Sequence, residues 1–600
     1  MPDYKAPLRD LRFAYYELFD GASLAELPGF EDATEDLVTA ILEEMAKISH
    51  EVLQPLSSSG DEEGCHFEGG AVRAPAGFRE AYTLMREGGW TALSCTPEYG
   101  GQGMPHSVSI MVSEMLCASN LSFAMYIGLT NGAYAGLMHH ATDELKARFV
   151  PKLVDGTWSG TMCLTEPQAG TDLGLVRTTA TPIEEGGGDG GYRIRGNKIF
   201  VSAGEHDLSE NIVHLILARL PDAPEGIKGI SMFVVPKLRE EDGALVPNGV
   251  TCSGIEHKMG IKGSATCSID FDDAIGYLVG EPHKGMRAMF TMMNAARLHV
   301  GVQGLALADA AYQGAVQFAR DRLQGRALTG AKEPDKAADP ILVHPDVRRM
   351  LLSVRAFTEA ARALTAWAAI EIDHAEESAD PERRQEADDL ASLLTPVIKA
   401  FQTDLGFEMA NLALQVCGGY GYTREYGMEQ LVRDARITQI YEGTNGIQAL
   451  DLVGRKLPAH FGRFLRRFFH PVAAFLEAEA TNPALEEYVA PAAKALDRLQ
   501  RASAWLAQEG MKNPDQAGAA ASDYLHLFGY TAFAYLWARM AKVALDKLAE
   551  GATGEEEAFY RGKLATGRFY MQRLLPRSGA CFASLMAGSR AIMEVPAEAF

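Results

Sequence analysis

The sequence predicts an α+β protein in which an antiparallel β unit is set between helical units. Three observations predict it. Apolar residues recur every three or four positions in Leu37-Ile41-Met45-Ile48 and again through 107–154, the spacing of a buried helix face. Between 160 and 280 that spacing gives way to short alternating runs such as Lys198-Ile199-Phe200-Val201-Ser202, the period of strands. From Gly285 onward the helical spacing resumes. Six hundred residues exceed what one hydrophobic core supports, and the changes of texture divide them. The expected segments are an N-terminal extension (1–34), a helical domain (35–159), a β domain (160–281), a second helical domain (282–456) and an additional helical domain (457–600).

Taken in order, residues 1–34 carry Leu11, Phe13, Tyr15, Leu18 and Phe19 among charges and break near Pro28-Gly29. Residues 35–49 read as a helix, and the polar, glycine-rich stretch from Gly60 to Gly77 reads as a surface loop or turn region. Gly77-Phe78-Arg79 opens a helix that ends near Gly88-Gly89-Trp90. Pro97 to Gly103 cannot be regular, because its glycines mark a tight loop. Along 107–154, Ser119, Ala124, Gly128, Gly132, Ala135 and Gly136 permit close approach of another helix or a flat ligand. Tyr192–Arg195 and Lys198–Ser202 read as two strands around a Gly196-Asn197 turn. Ile212 to Leu220, Gly229 to Pro236 and Cys267 to Phe271 read as further strands. Helix is expected over 285–319 and 345–374, with a loop from Gly325 to Pro340 and a polar break from Pro381 to Asp389. Thr395-Pro396 reads as an N-cap with proline at the first helical position. Val397, Phe401, Leu405, Met409, Leu412 and Val416 form the buried stripe of that helix, and Gly418-Gly419 closes it. After Pro458 the chain reads as helix with one break, at 513–518.

Composition removes several function classes. A net charge of −23 is the opposite of a nucleic-acid footprint and disfavours docking on anionic lipid. An anionic ligand therefore needs local arginines. The opening Met1-Pro2-Asp3-Tyr4-Lys5 is not a signal peptide. The most apolar segments are interrupted by polar groups short of a membrane span. Eight scattered cysteines without a Cys-x-x-Cys pair suit a reducing cytoplasm and neither a disulfide frame nor a metal site. Cys163 and Cys417 read as small packing residues.

Chemistry concentrates in Gln439-Ile440-Tyr441-Glu442-Gly443-Thr444-Asn445. Glu442 follows two apolar residues, and a carboxylate held among apolar groups has its pKa raised towards neutrality, where it can abstract a proton. Gly443 lets the backbone come close to a ligand. The plain alternative is a glutamate that caps or pairs at a helix end.

Pro97-Glu98-Tyr99-Gly100-Gly101, Cys163-Leu164-Thr165-Glu166-Pro167 with Gly170-Thr171-Asp172, and Gln415-Val416-Cys417-Gly418-Gly419-Tyr420-Gly421-Tyr422 stand in that order. Arg433-Asp434-Ala435-Arg436 and Tyr441-Glu442-Gly443-Thr444 follow them. Together, over residues 35–455, these motifs resemble the signatures of the acyl-CoA dehydrogenase superfamily. The resemblance implies that family's fold: an N-terminal helical domain, a middle antiparallel β domain and a C-terminal four-helix-bundle domain. It implies FAD as cofactor and dehydrogenation of the Cα–Cβ bond of an acyl-CoA thioester, with Glu442 as the base. The thioester oxygen would be held by the Glu442 backbone N–H and a ribityl hydroxyl of the flavin.

The resemblance also implies the contacts. Cys163, Leu164, Thr165, Thr171, Phe200, Val201 and Ser202 would lie near the flavin ring. Arg322 and Gln324 would reach the diphosphate or adenosine of FAD from a neighbouring subunit. Gln415, Gly418 and Gly419 would reach the second subunit's FAD, with Thr444 near its other end. Thr171, Asn294, Arg297, Tyr441 and Gly443 would contact substrate. This chain departs from the pattern at Gly325, where phenylalanine is usual, and at Asn294, where aspartate is usual. His344 falls near a further FAD position. Some members carry the base just before the arginine matching Arg297, and here that residue is Ala296, which leaves Glu442.

The first ten residues and the C-terminal extension resemble the long bacterial members that act on 3-methylthiopropionyl-CoA in dimethylsulfoniopropionate breakdown. Long fatty acyl-CoA dehydrogenases share both ends and are the alternative. The extension implies a homodimer, and the family implies an electron-transfer flavoprotein as acceptor. An acyl-CoA oxidase and a non-catalytic scaffold are the remaining readings.

Overall fold

Apolar spacing sets the helices, and glycine, proline or a side-chain cap sets their ends. The computed structural model describes residues 2–183 and 191–600. The chain begins with α1 (Leu8–Arg12) and α2 (Glu35–Ile48). The buried stripe of α2 is Val38, Leu42, Met45 and Ile48: Met45 and Ile48 are buried as expected, Val38 and Leu42 take the places expected of Leu37 and Ile41, and Leu37 faces outward. The stretch expected as a loop or turn region at 60–77 is more regular than that. α3 (Gln54–Glu63) fills its start, and a hairpin of β1 (His66–Glu68) and β2 (Ala71–Arg73) fills its middle. Glu63 holds the two together, accepting from Arg73 and from the Ala76 amide, each at 2.9 Å.

α4 (Phe78–Glu87), α5 (His106–His140) and α6 (Asp143–Val154) follow. α5 overturns the expectation that no apolar segment reaches a membrane span. By length and composition it is long enough to cross a bilayer, with 94% of its most apolar window buried within the protein. It is broken at Asn120 (φ −157°, ψ 88°), whose side chain takes the Phe123 amide at 3.0 Å and restarts the helix.

The β region comprises β3 (Trp158–Cys163), β4 (Thr179–Pro182), β5 (Tyr192–Ser202), β6 (Asn211–Arg219), β7 (Ile230–Pro236), β8 (Leu238–Glu241), β9 (Ala244–Pro247), β10 (Val250–Ile255) and β11 (Thr266–Val279). Pairing runs β11–β5–β4–β6–β7 and returns from β7 to β11, so these strands close on themselves. β10, paired with β11, and β3, paired with β6, remain as end strands. Most pairs are antiparallel, but β3 and β4 each pair with β6 in parallel. Gly196-Asn197 is not a turn: β5 runs through it. A Cβ at Gly196 would collide with Thr178, so the glycine serves packing. Register shifts of the bulge kind fall in β11 beside it, between Cys267 and Ile269 and between Phe271 and Ala274.

The helices then resume as α7 (Gly285–Asp321), α8 (Pro345–Glu377) and α9 (Pro381–Cys417). The expected break at 381–389 is the start of α9, with Pro381 in its first turn and Asp380 capping the Glu382 amide. Thr395-Pro396 therefore sits inside a helix. The Thr395 hydroxyl bonds the Ala391 carbonyl at 2.8 Å within that helix, beside the turn that lacks a proline N–H. α10 (Met428–Arg436) and α11 (Asn445–Asp451) precede the extension: α12 (Arg463–Ala478), α13 (Glu486–Lys512), α14 (Pro514–Ala549), α15 (Gly554–Phe569), α16 (Arg577–Met586) and α17 (Arg590–Met593). The extension has several breaks where one was expected. At the expected one, Asn513 caps α14.

Two compact units result, one of Met1–Ala46, Pro105–Ala118 and Val300–Phe600, the other of Lys47–Met104 and Ser119–His299. In the first, α8 and α9 pack together and α14 lies on them, with Phe401, Phe357 and Phe533 in ring contact. The N-terminal arm is part of that core: Tyr4, Leu11, Phe13 and Tyr15 are buried. In the second, one face of β6 and β7 packs inside the closed strands, with Ile194, Ile216 and Phe233. The other face packs on Phe149, Leu153 and Met292. Burial on both faces explains why apolar residues stand at consecutive positions of β6 and β7. The small residues Gly132 and Gly136 let α5 approach Met292 and Leu215, each 3.1 Å from where a Cβ would stand.

Candidate active site

Glu442 stands between α10 and α11, and the chain reverses there through two left-handed residues, Glu442 (φ 57°) and Gly443 (φ 86°). Gly443 adopts this conformation freely, but for a glutamate it costs about 1–3 kcal/mol, a strain that persists only where surroundings enforce it. The enforcement is visible. The buried Lys399 ammonium donates to the Gly443 carbonyl at 2.9 Å and to Asn445 Oδ1 at 2.7 Å. Gln448 Nε2 donates to the Glu442 and Gly443 carbonyls at 3.0 and 3.3 Å. Asn445 Nδ2 reaches Thr403 Oγ1 at 2.9 Å and Asp404 Oδ1 at 2.7 Å. The neighbouring Tyr441 donates its hydroxyl to Gln303 on α7. Burial pushes that phenol well above its ordinary value, so it stays neutral. Ile440, expected to help desolvate Glu442, is 46% exposed. Glu442, Gly443 and Thr444 are half-buried.

Arg322, Gln324, Gly418 and Gly419 come together in the same unit, lining a pocket of about 500 Å³ with Phe318, Tyr420 and Thr423. Gly418 closes α9 with φ 57°, and a Cβ on Gly418 or Gly419 would meet nothing within 4 Å. Gln415 is exposed, a turn before that pocket. His344 Nε2 bonds the Gln324 carbonyl at 2.7 Å, and its ring lies 3.5 Å from where a Cβ on Gly325 would stand. The loop between α7 and α8 is ordered by the buried Asp339, which accepts from the amides of Ala327, Lys332 and Glu333 at 2.8–2.9 Å.

In the second unit, β3 ends at Cys163 and the chain crosses β5, with the Ile199 amide donating to the Thr165 carbonyl at 2.9 Å. The crossing is fixed by Glu166 and Lys198, both buried and 2.8 Å apart. Glu166 also accepts from the Arg177 and Thr178 amides and from the Thr178 hydroxyl at 2.6–3.1 Å. Burial works to raise its pKa, but the Lys198 charge and these bonds outweigh it and hold the carboxyl at about 2. The Cys163 and Val201 side chains lie inside the closed strands, so only their backbone can meet a ligand. Leu164, Thr165 and Ser202 are half-buried, Thr171 is exposed, and Phe200 is 59% exposed with φ 56°. Arg297 is buried and donates to Asn294 at 3.3 Å, and its guanidinium carbon lies 5.7 Å from the Phe290 ring centre.

Family models match most of the chain: "Acyl-CoA dehydrogenase, N-terminal domain" over residues 37–157, "middle domain" over 161–274 and "C-terminal domain" over 283–457. The chain belongs to the acyl-CoA dehydrogenase family. A fourth model, "Acetyl-CoA dehydrogenase C-terminal like", matches residues 468–596, the extension. The chain is 43% identical to 3-methylmercaptopropionyl-CoA dehydrogenase of Ruegeria pomeroyi, across 96% of its own length and 97% of the relative's. It is 35% identical to a butyryl-CoA dehydrogenase of Syntrophomonas wolfei, across 100% and 99%. The crystal structure of Caenorhabditis elegans ACDH-11 in complex with C11-CoA shares the fold, with a TM-score of 0.77 at 20% identity over 96% of this chain and 92% of that one.

Members of the family are oxidoreductases that use FAD, and the residues here fit it. A guanidinium, an amide side chain and the open glycine backbone at 418–419 are the donor set a diphosphate requires. The outward Phe200 ring and the strand-end hydroxyls offer a flat surface with polar edges. Reading the sequence alone missed Lys399, Gln448, Asp404 and Asp339. Each is a single polar residue within an apolar helical pattern or a loop, and the only available signal was the cost of burying such a group without a purpose.

Proposed function

We propose that this chain is an FAD-dependent dehydrogenase that converts 3-methylthiopropionyl-CoA to methylthioacryloyl-CoA. The observation that carries the reaction is Glu442, a carboxylate held in a left-handed loop whose carbonyls are tied down by Lys399 and Gln448. Glu442 takes the α-proton of the thioester. Bound FAD supplies the acceptor for the hydrogen that leaves the β-carbon as hydride. The Glu442 backbone N–H is a donor for the thioester oxygen as negative charge builds there, an effect worth about 3–4 kcal/mol per donor. Tyr441, Gly443, Thr171, Asn294 and Arg297 are assigned to substrate. Cys163, Leu164, Thr165, Thr171, Phe200, Val201, Ser202, Arg322, Gln324, Gln415, Gly418, Gly419 and Thr444 are assigned to cofactor.

End-to-end identity of 43% with the 3-methylmercaptopropionyl-CoA enzyme supports the substrate. The relation to a butyryl-CoA dehydrogenase over the whole chain favours a straight-chain fatty acyl-CoA as the second reading. We further assign a cytoplasmic homodimer that passes electrons to an electron-transfer flavoprotein. Its segments are 1–34, 35–159, 160–281, 282–456 and 457–600.

The test is anaerobic flavin bleaching by 3-methylthiopropionyl-CoA against butyryl- through palmitoyl-CoA. Replacing a methylene by sulfur changes shape little, so the preference over a straight-chain analogue should be about tenfold. Faster reduction by a straight-chain thioester rejects the proposed substrate. Rapid peroxide release in air would indicate an oxidase. Glu442→Gln should retain flavin and ligand and lose turnover by several orders of magnitude.

A further inference from the structure

A histidine of the C-terminal extension reaches the residue that holds the base loop. Asp404 on α9 accepts on both carboxylate oxygens. Oδ1 takes Gln439 Nε2 at 2.8 Å and Asn445 Nδ2 at 2.7 Å, and Oδ2 lies 2.9 Å from His526 Nε2 on α14. Gln439 and Asn445 stand three residues before and three after Glu442, so a single carboxylate holds both sides of the loop. Asp404 cannot turn without releasing one of them.

What stops it turning is the third contact. The Phe401 ring meets His526 edge-on, with centroids 5.6 Å apart, and meets Tyr530 at 4.9 Å. Between those two positions Gly529 faces Phe401 so closely that a Cβ would collide with the ring. That glycine lets α14 close on α9, and residues three apart on each helix share a face. His526 is thereby delivered opposite Asp404. Burial works to raise the Asp404 pKa, but the His526 contact and the two amides hold it below its ordinary value, so the oxygens remain acceptors.

We propose that His526, a residue of the extension, is a positioning residue for the reaction: through Asp404 it fixes Gln439 and Asn445 and so the geometry of Glu442. This rests on Glu442 being the base. His526 and Asp404 each retain 27% of their side-chain exposure, which also suits a pair that only joins two helices. The two roles differ in what they move.

The experiment uses the full-length, FAD-loaded enzyme with the acyl-CoA it reduces fastest. His526→Phe keeps the ring against Phe401 and removes the donor, and His526→Gln keeps a donor. A loop misplaced by a fraction of an ångström predicts that His526→Phe lowers kcat about tenfold or more. KM and flavin content should stay unchanged, the α-deuterium isotope effect on flavin reduction should grow, and hydrogen exchange over 437–451 should quicken. His526→Gln should recover most of the rate. In an Asp404→Asn background His526→Phe should add little, since both act through one carboxylate. Wild-type kcat in His526→Phe overturns the proposal, as does an equal loss in His526→Gln. Quickened exchange confined to 514–549 also overturns it. Glu442→Gln, run beside these, separates the two failures: full turnover there defeats the assignment of the base, whereas exchange at 437–451 reads the Asp404 contact independently of turnover.

Discussion

Lys563 on α15 donates to Asp10 on α1 across 553 residues of sequence. The same ammonium donates to Glu359 on α8 at 2.8 Å and lies 4.8 and 5.1 Å from the ring centres of Phe13 and Phe559. One residue of the extension thus ties the N-terminal arm to the core of its unit. Its side chain is 2% exposed and that of Glu359 is 4% exposed. Removing the cation would leave Glu359 to Arg355 alone and take from Asp10 its direct ion pair, the breaking of a largely buried pair that costs about 3–5 kcal/mol.

Lys563→Met is therefore expected to lower the urea midpoint by the equivalent of about 3–5 kcal/mol. Changing Asp10 and Glu359 to neutral residues in the same chain should return most of that loss, because burying no charge avoids the penalty. A Lys563→Met protein as stable as the parent would show that water reaches the cluster.

Gly529→Ala tests how closely α14 must approach α9. The added methyl meets the Phe401 ring, which has no flexible end to swing aside, so overpacking should cost about 1–3 kcal/mol. An unchanged thermal midpoint would mean that the helices can separate freely.

Much of this could be read from the chain, and the failures share a cause. The buried stripe of α9 and the apolar runs of β6 and β7 were legible because burial leaves a period. The motifs around Glu166, Gly418 and Glu442 were legible because several uncommon residues stand together. Pro381 and Pro396 were misread because proline suits a helix start or its interior according to its surroundings: Asp380 caps the start at Pro381, and the helix runs on through Pro396. Gly196 was misread as a turn because the collision it avoids lies with Thr178 on another segment. Lys399 and Asp404 look like surface charges on a helix, and their partners belong to a loop about forty residues further on.

Glu166 should govern part of the acid sensitivity of the second unit. Its pKa is about 2 in the folded chain against an ordinary 4.5. A depressed carboxyl contributes stability above its unfolded pKa, and that contribution is lost as pH falls from about 4.5 to about 2. At neutral pH it amounts to about 3 kcal/mol. Glu166→Gln also strands the buried Lys198 at either pH, so the variant should be clearly weaker at pH 7, and the gap should narrow without closing at pH 3. Denaturant midpoints at the two pH values measure this, and a constant difference between them would contradict it.

Lys399 offers the most direct test of the strained loop. Its ammonium is wholly buried and holds the Gly443 carbonyl and Asn445 Oδ1. A left-handed glutamate relaxes by about 1–3 kcal/mol if its backbone is released, and these two bonds act beside Gln448 to prevent it. Lys399→Met keeps the length and apolar body of the side chain and removes both donors. Turnover should fall by about a hundredfold, and flavin content should hold. The loss should exceed that of His526→Phe, because Lys399 bonds the loop backbone itself and His526 acts through Asp404. Stopped-flow flavin reduction gives both rates. A Lys399→Met enzyme faster than His526→Phe would place the decisive restraint at Asp404 instead.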